Sequence, residues 1–246
     1  MNKTYLPTMF INNQNRKAAS TDIINVDTIR GCSNNCESCF AKRNCAITIK
    51  HFEIPVPILK YTGKIRPKSY YRVGNFGDPA TDWTHSEKLM VKYKFQNFFG
   101  VTKLQSLVGF TGVFDKLQVS IDTINKEHFK ITIKNVKILR KKFPDIKIAL
   151  RVRSLDTLDK VILKRQQKAV DFANHFMLPI LETKMRFVRK SALTIYKLNP
   201  ETYSWRNSYL RSNVGQSLLK GVDRHYVCDI KEKKCKGCKL CVNLFW

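Results

Sequence analysis

The chain predicts an α/β fold with a parallel sheet. Three observations carry this. Short β-branched and apolar runs alternate with amphipathic helical segments about five times. One run, Ile146 to Arg153, is almost continuously apolar, as a strand covered on both faces must be. Turn residues separate the runs, with Gly31, Gly77-Asp78-Pro79 and Pro144 as the clearest breaks.

In chain order, Ile23 to Ile29 reads as a strand that runs directly into Arg30-Gly31. The segment Ala46–Pro67 carries Pro55, Pro57 and Pro67, so the first crossover is expected to be irregular rather than helical. Tyr70 to Phe76 is the second strand. Thr84-His85-Ser86-Glu87 has capping-box spacing and opens a helix reaching Tyr93. Phe95–Thr102 is the third strand, Lys103–Phe114 a short helix and Leu117–Asp122 the fourth strand; an antiparallel hairpin is the alternative for this stretch. Lys126 to Phe143 is helical, with Phe129, Ile133, Val136, Leu139 and Phe143 on one face and Lys130, Lys134, Lys137 and Lys141 on another. Ile146–Arg153 is the fifth strand, Ser154 caps a helix to Asn174, and Phe176–Leu181 is the sixth strand. Beyond Lys190 the pattern weakens into loops at Asn199-Pro200 and 213–215. Residues 1–198 are read as the main domain and 199–246 as a C-terminal extension.

Hydrophobic residues make up 43% of the chain, enough for a sizeable core and too many for a disordered one. No apolar run is long enough to span a bilayer, and the first residues lack a secretory pattern. A cytoplasmic protein without membrane contact is expected. Lys and Arg number 45 against 19 Asp and Glu, a net charge of +26, which points to a nucleic acid or another phosphate-bearing partner. Lys outnumbers Arg 31 to 14, as an AT-rich coding sequence gives, yet that bias does not account for the shortage of acids.

The eight cysteines fall in two groups, Cys32, Cys36, Cys39 and Cys45, then Cys228, Cys235, Cys238 and Cys241. In a chain with no export signal, clustered thiols read as metal ligands rather than disulfides. Cys32-x3-Cys36-x2-Cys39 places three soft thiolates on one tight loop after a strand, suited to a 4Fe-4S cluster with one iron left open, or to zinc. A closed zinc site needs a fourth ligand, and Cys45 lies beyond the usual spacing.

This loop after the first strand resembles the motif of the radical S-adenosylmethionine (SAM) superfamily. The resemblance covers residues 23–181. It implies a partial parallel (βα)6 barrel of radical SAM type. It further implies that the open iron is chelated by the amino and carboxylate groups of SAM. An external one-electron reductant would then drive reductive cleavage to a 5′-deoxyadenosyl radical. Gly77-Asp78-Pro79 is similar to the family's Gly-Glu-Pro-type motif for the SAM amino group. Ser120 and Asp122 match positions that hold the ribose, Arg151 or Arg153 would pair with the carboxylate, and Leu178-Pro179-Ile180 would wall the adenine. The family's aromatic residue just before the third cysteine is Ser38 here, with Phe40 following Cys39 instead. With Thr102-Lys103 after the third strand, the set resembles small phage-carried members distantly akin to spore photoproduct lyase.

Cys228-x6-Cys235-x2-Cys238-x2-Cys241 matches a ferredoxin-like run for a second, closed 4Fe-4S cluster; four thiolates equally suit zinc. Lys231, Lys233, Lys234, Lys236 and Lys239 interleave with these cysteines, to balance their charge or to meet phosphate. The five histidines show no mutual metal spacing, and His225 before Cys228 is the best candidate ligand among them. Tyr203, Trp205 and Tyr209 beside Arg206 and Arg211 suit base stacking or packing over the barrel's open side. The expected function is a radical SAM enzyme on an unidentified substrate, nucleic acid or nucleotide being favoured by charge. The alternative is a zinc- or Fe-S-stapled nucleic-acid-binding protein.

Overall fold

A computed structural model describes residues 8–9, 23–34, 36, 39, 52–61, 63–187, 189–206, 209–214, 216–228 and 240–245. Its centre is a curled, all-parallel half-barrel sheet of seven strands in chain order. These are β1 (Ile23–Val26), β2 (Tyr70–Val73), β3 (Phe98–Thr102), β4 (Lys116–Ile121), β5 (Lys147–Ser154), β6 (Ile180–Lys184) and β7 (His225–Val227). The hairpin alternative is excluded, because β3 and β4 pair in parallel, Gly100 beside Leu117.

Alternation along each strand divides the side chains. Ile24, Val26, Tyr71, Val73, Leu117, Val119, Ile148, Leu150 and Val152 face the helices and form the main core. Three helices cover that face: α1 (Trp83–Lys92), α2 (Lys126–Lys142) and α3 (Lys160–His175). Each is opened by an acidic or amide cap. Asn125 accepts from the N–H groups of Glu127 and His128, and Asp159 from those of Val161 and Ile162. Two caps differ from expectation. Asp82, not Thr84, caps α1, and Asp159, not Ser154, caps α3. Glu87, read as half of a capping box, is buried and accepts from Thr111 and Gly112 instead.

The expected helix at Lys103–Phe114 is absent. Leu104, Gly109 and Gly112 take positive φ there, which no right-handed helix admits. The coil is held by side chains, with Trp83 Nε1 donating to Ser106 O at 2.9 Å. The sixth strand begins later than expected, because Phe176 closes α3 and packs on Phe172 at 4.8 Å between ring centres. Leu178-Pro179-Ile180 therefore lies at the entrance of β6, opposite the end where the cysteine loop sits, and cannot wall a ligand there.

The first crossover is irregular as expected. Its described part holds Val56–Pro57, paired antiparallel with Ile29–Arg30, and Lys60–Tyr61, paired with Thr8–Met9. After β6 the chain forms a small antiparallel sheet of Arg186–Phe187, Tyr209–Ser212 and Tyr203–Arg206, which the sequence did not suggest. Tyr203 is buried in the cluster beneath that sheet, so it packs rather than stacks on a base; Trp205 is exposed. The extension then returns to the barrel as β7. Glu182 on β6 anchors it. Its carboxylate accepts from Ser154 and Ser217 Oγ at 2.6 and 2.5 Å and from Leu218 N–H at 2.9 Å, and it lies 2.9 Å from His225 Nε2. His225 thus serves this anchor. Residues 240–245 close the bottom of the concave face. Phe245 packs on Phe99 at 5.5 Å between ring centres, with Leu244 beside Ala149 and Leu181. Among the described residues no helix is long and apolar enough to cross a membrane.

Candidate metal and cofactor site

The site forms where β1, β2, β3, β4 and β5 end. Parallel strands present their loops on one rim, and functional groups collect there for that reason. Cys32, Cys36 and Cys39 line one pocket with Asn34, Phe52, Gly77, Asp78, Thr102, Lys103, Ser120, Arg151 and Arg153. Its volume is about 590 Å³ including the open mouth. The cavity proper holds about 100 Å³, less than the roughly 300–1,000 Å³ of small-molecule sites, so the pocket is open and shallow.

Close backbone packing holds the cysteine loop on the rim. The Gly31 N–H donates to Phe76 O at 3.1 Å, and Cys32 N–H to Phe52 O at 2.8 Å. A Cβ on Gly77 would sit 2.0 Å from Ile29 O, and one on Gly31 2.6 Å from Phe52 O, so only glycine admits this approach.

Asp78 locks the loop to β3. Its Oδ1 accepts from Thr102 Oγ1 at 2.6 Å and Ala80 N–H at 3.0 Å; its Oδ2 accepts from Lys103 N–H at 2.8 Å and Asn34 Nδ2 at 3.0 Å. All four acceptor positions of the carboxylate are taken. The side chain expected to meet the SAM amino group is therefore engaged within the protein. Burial pushes the Asp78 carboxyl up, against the pull of these donors.

Asp122 is also occupied. Its Oδ2 accepts from Lys103 Nζ at 2.7 Å, and both side chains are buried. Burial pushes its pKa up, but the Lys103 ammonium, the N–H of Asn125 and Arg153 outweigh that and hold it below the usual carboxylate range. Lys103 was legible only as part of a Thr-Lys pair; it is a cation of the site beside Arg151 and Arg153. His128, at the start of α2, is one of the five histidines set aside for want of metal spacing. One of its ring nitrogens, an Asp122 oxygen and Cys36 Sγ lie within 4.8 Å of one another. That trio could hold a metal only if the Lys103–Asp122 pair loosened. Burial and the Lys103 charge push the His128 pKa down, and Asp122 pushes it up.

The thiols are shielded and crowded. Burial first, then the Asp78 carboxylate and the neighbouring thiols, push Cys32 up to about 12. Burial raises Cys36 as well, with Asp122 and Cys39 adding to it and Lys103 and Arg153 opposing. Neighbouring sulfurs that resist ionisation alone become ligands when a metal supplies the positive charge. Phe40 and Cys45 lie outside the described residues, as do Cys235, Cys238 and the interleaved lysines. Of the C-terminal group, Cys228 follows β7, its N–H donating to Glu182 O at 2.9 Å. Cys228 and Cys241 pack against one apolar cluster with Leu181 and Phe245.

Asp27, at the end of β1, was not foreseen as a site residue. It is buried; its Oδ1 accepts from the N–H groups of Asn75 and Phe76 at 2.6 and 2.8 Å, and its Oδ2 has no partner. Burial pushes its pKa up to about 7, against those N–H groups and the Arg72 charge. The neutral form is favoured by the fold, so this group's contribution to stability is complete below about pH 4 and falls as pH rises towards 7. Asp27→Asn keeps the accepting oxygen and removes the titration. The variant is expected to be more stable than the parent at pH 8 by roughly 2–4 kcal/mol, and little different at pH 4. Urea unfolding at the two pH values checks this; equal shifts at both would contradict it.

No family model, no curated protein and no solved structure matches the chain.

Proposed function

We propose that the chain is a radical SAM enzyme, its catalytic cluster held by Cys32, Cys36 and Cys39. One observation carries the reading: three cysteines line a single pocket on the carboxyl rim of a parallel half-barrel, beside a glycine-bounded turn, Ser120 and two arginines. The donor set fits a 4Fe-4S cluster with one iron open, since three soft sulfurs converge on one pocket with no fourth described cysteine on its wall. When bound, the cluster and SAM supply one-electron cleavage of a sulfonium bond; the rest is the chain's own work.

That work is positioning and exclusion of water. Gly31 and Gly77 let the cysteine loop and the β2 turn approach within backbone contact. Asp78 ties this turn to β3 and, through Asn34, to the cysteine loop. Phe52 packs against Cys32, Cys39 and Phe76 and keeps that side of the pocket apolar. Lys103 holds Asp122 ionised and places positive charge beside Cys36. Arg151 and Arg153 offer guanidinium groups to a carboxylate. A nucleic acid or nucleotide remains the favoured substrate, on the net charge of +26. The C-terminal cysteines are proposed to bind a second 4Fe-4S cluster, or zinc.

Anaerobic reconstitution tests the reading. About eight irons per chain, two cubanes, are expected. Release of 5′-deoxyadenosine from SAM on reduction with dithionite is expected with them. Zinc at both sites, with no SAM cleavage, would instead support a metal-stapled binding protein, for which the Cys36–Asp122–His128 trio is the specific observation.

A further inference from the structure

The concave face of the half-barrel is polar below the cysteine pocket, and its polar atoms are unsatisfied. Asn25, Arg72, Gln118, Arg151 and Thr183 alternate with residues of the main core, so they point into the lumen. Four of them carry a buried polar atom with no hydrogen-bond partner: Asn25 Oδ1, Gln118 Nε2, Arg151 Nε and Thr183 Oγ1. Gln118 is 1% exposed and Thr183 7%, so bulk water does not serve these atoms. Buried polar groups are normally paired, and four orphans on one concave face mark a place where something binds.

The character of the group is set by its donors. Arg72, Arg151 and Arg153 lie close enough for the first and last to disfavour the charge on Arg151. Guanidinium groups remain charged in proteins, so the lumen concentrates positive charge. Among the described residues no carboxylate pairs with Arg151. Cys228 and Cys241 are the acidic groups that favour its charge. Strand register accounts for Cys228: Arg153 pairs with Thr183, and Val227 pairs with Glu182, which puts Cys228 level with Thr183. Asp27 also faces this side, but it is a weak counter-charge near neutral pH. Below, Phe99, Ala149, Leu181, Leu244 and Phe245 form an apolar floor. The lumen is thus donor-rich, cationic and closed beneath, which suits an oxyanion bound through a planar fork and an amide N–H.

We infer that this lumen is a second binding site, adjoining the SAM pocket at Arg151 and the C-terminal cysteines at Cys228, and that it takes the oxyanion of a small molecule, a phosphate or a carboxylate. Identifying that molecule as the substrate of the radical reaction rests on the function proposed above; the binding does not.

The test uses full-length, anaerobically reconstituted protein, with iron counted in every sample. Potassium phosphate, AMP and succinate are titrated in chloride buffer of constant ionic strength, with and without saturating SAM, and thermal unfolding and calorimetry are read. At least one probe is expected to raise the melting temperature saturably, in the presence and absence of SAM. A response to phosphate and AMP alone identifies phosphate recognition; a response to succinate alone identifies carboxylate recognition. Gln118→Met and Thr183→Val each remove an orphan with little change of shape. Both variants should fold at least as stably as the parent when no anion is present, and bind the effective probe about tenfold more weakly. No saturable shift with any probe, an undiminished shift in both variants, or a shift abolished by SAM would overturn the inference. Absent iron with a normal anion response would instead defeat the proposed chemistry and leave this site standing.

Discussion

Cys36→Ala is expected to reduce SAM cleavage below detection and to lower the iron content of reconstituted protein from about eight to about four per chain. Cys36 lies in the site's charge network, near Lys103, Asp122, Arg153 and Cys39. Removing its sulfur leaves two ligands, too few to hold a cubane, while the C-terminal site keeps its own four cysteines. The same substitution separates the two metal readings when set beside His128→Ala. If the metal is held by Cys36, Asp122 and His128, both variants strip it equally. If it is held by the three cysteines, His128→Ala keeps its iron, because His128 stands outside that set. Iron content and 5′-deoxyadenosine yield, measured side by side, decide between them.

Asp78→Ala is expected to destabilise the fold by about 3–5 kcal/mol. The carboxylate serves four donors at 2.6 to 3.0 Å in a buried position, and truncation strands them all. Asp78→Asn is not a conservative rescue. One oxygen can still accept from Thr102 and Ala80, but the amide N–H₂ then faces Lys103 N–H and the Asn34 amide, donor against donor. A loss of roughly 2 kcal/mol is expected for it. Urea midpoints at constant slope measure both values. Near-parental stability of Asp78→Ala would mean that the carboxylate does not hold the rim, and that something else places the cysteine loop.

Most of the sheet was legible because buried parallel strands write themselves as apolar runs; Lys147–Ser154 and Lys116–Ile121 fall within a residue of expectation. Helix ends were less legible. Asp82 caps α1 where a Thr-x-x-Glu pattern pointed to Thr84, and Asp159 caps α3 where Ser154 was expected. The coil at 103–115 carried helix-compatible residues, and its conformation is decided by distant partners, Trp83 and Glu87. β7 and the small antiparallel sheet are short, and their pairing is long-range, so periodicity had little to act on. In the site, spacing alone marked Cys32, Cys36 and Cys39, since three thiols in eight residues are chemically unusual. Lys103, Asp27 and His128 are single residues whose roles arise only when strand ends meet, and no local signal distinguishes them from other polar residues.

An iron left open by the three cysteines is probed at its source by electron paramagnetic resonance of the anaerobically reconstituted, dithionite-reduced chain, recorded before and after SAM is added. A reduced 4Fe-4S signal is expected whose g-values shift on adding SAM and which disappears in Cys36→Ala. A signal indifferent to SAM, or no cubane signal that depends on Cys32, Cys36 and Cys39, would contradict a SAM-binding cluster at this rim.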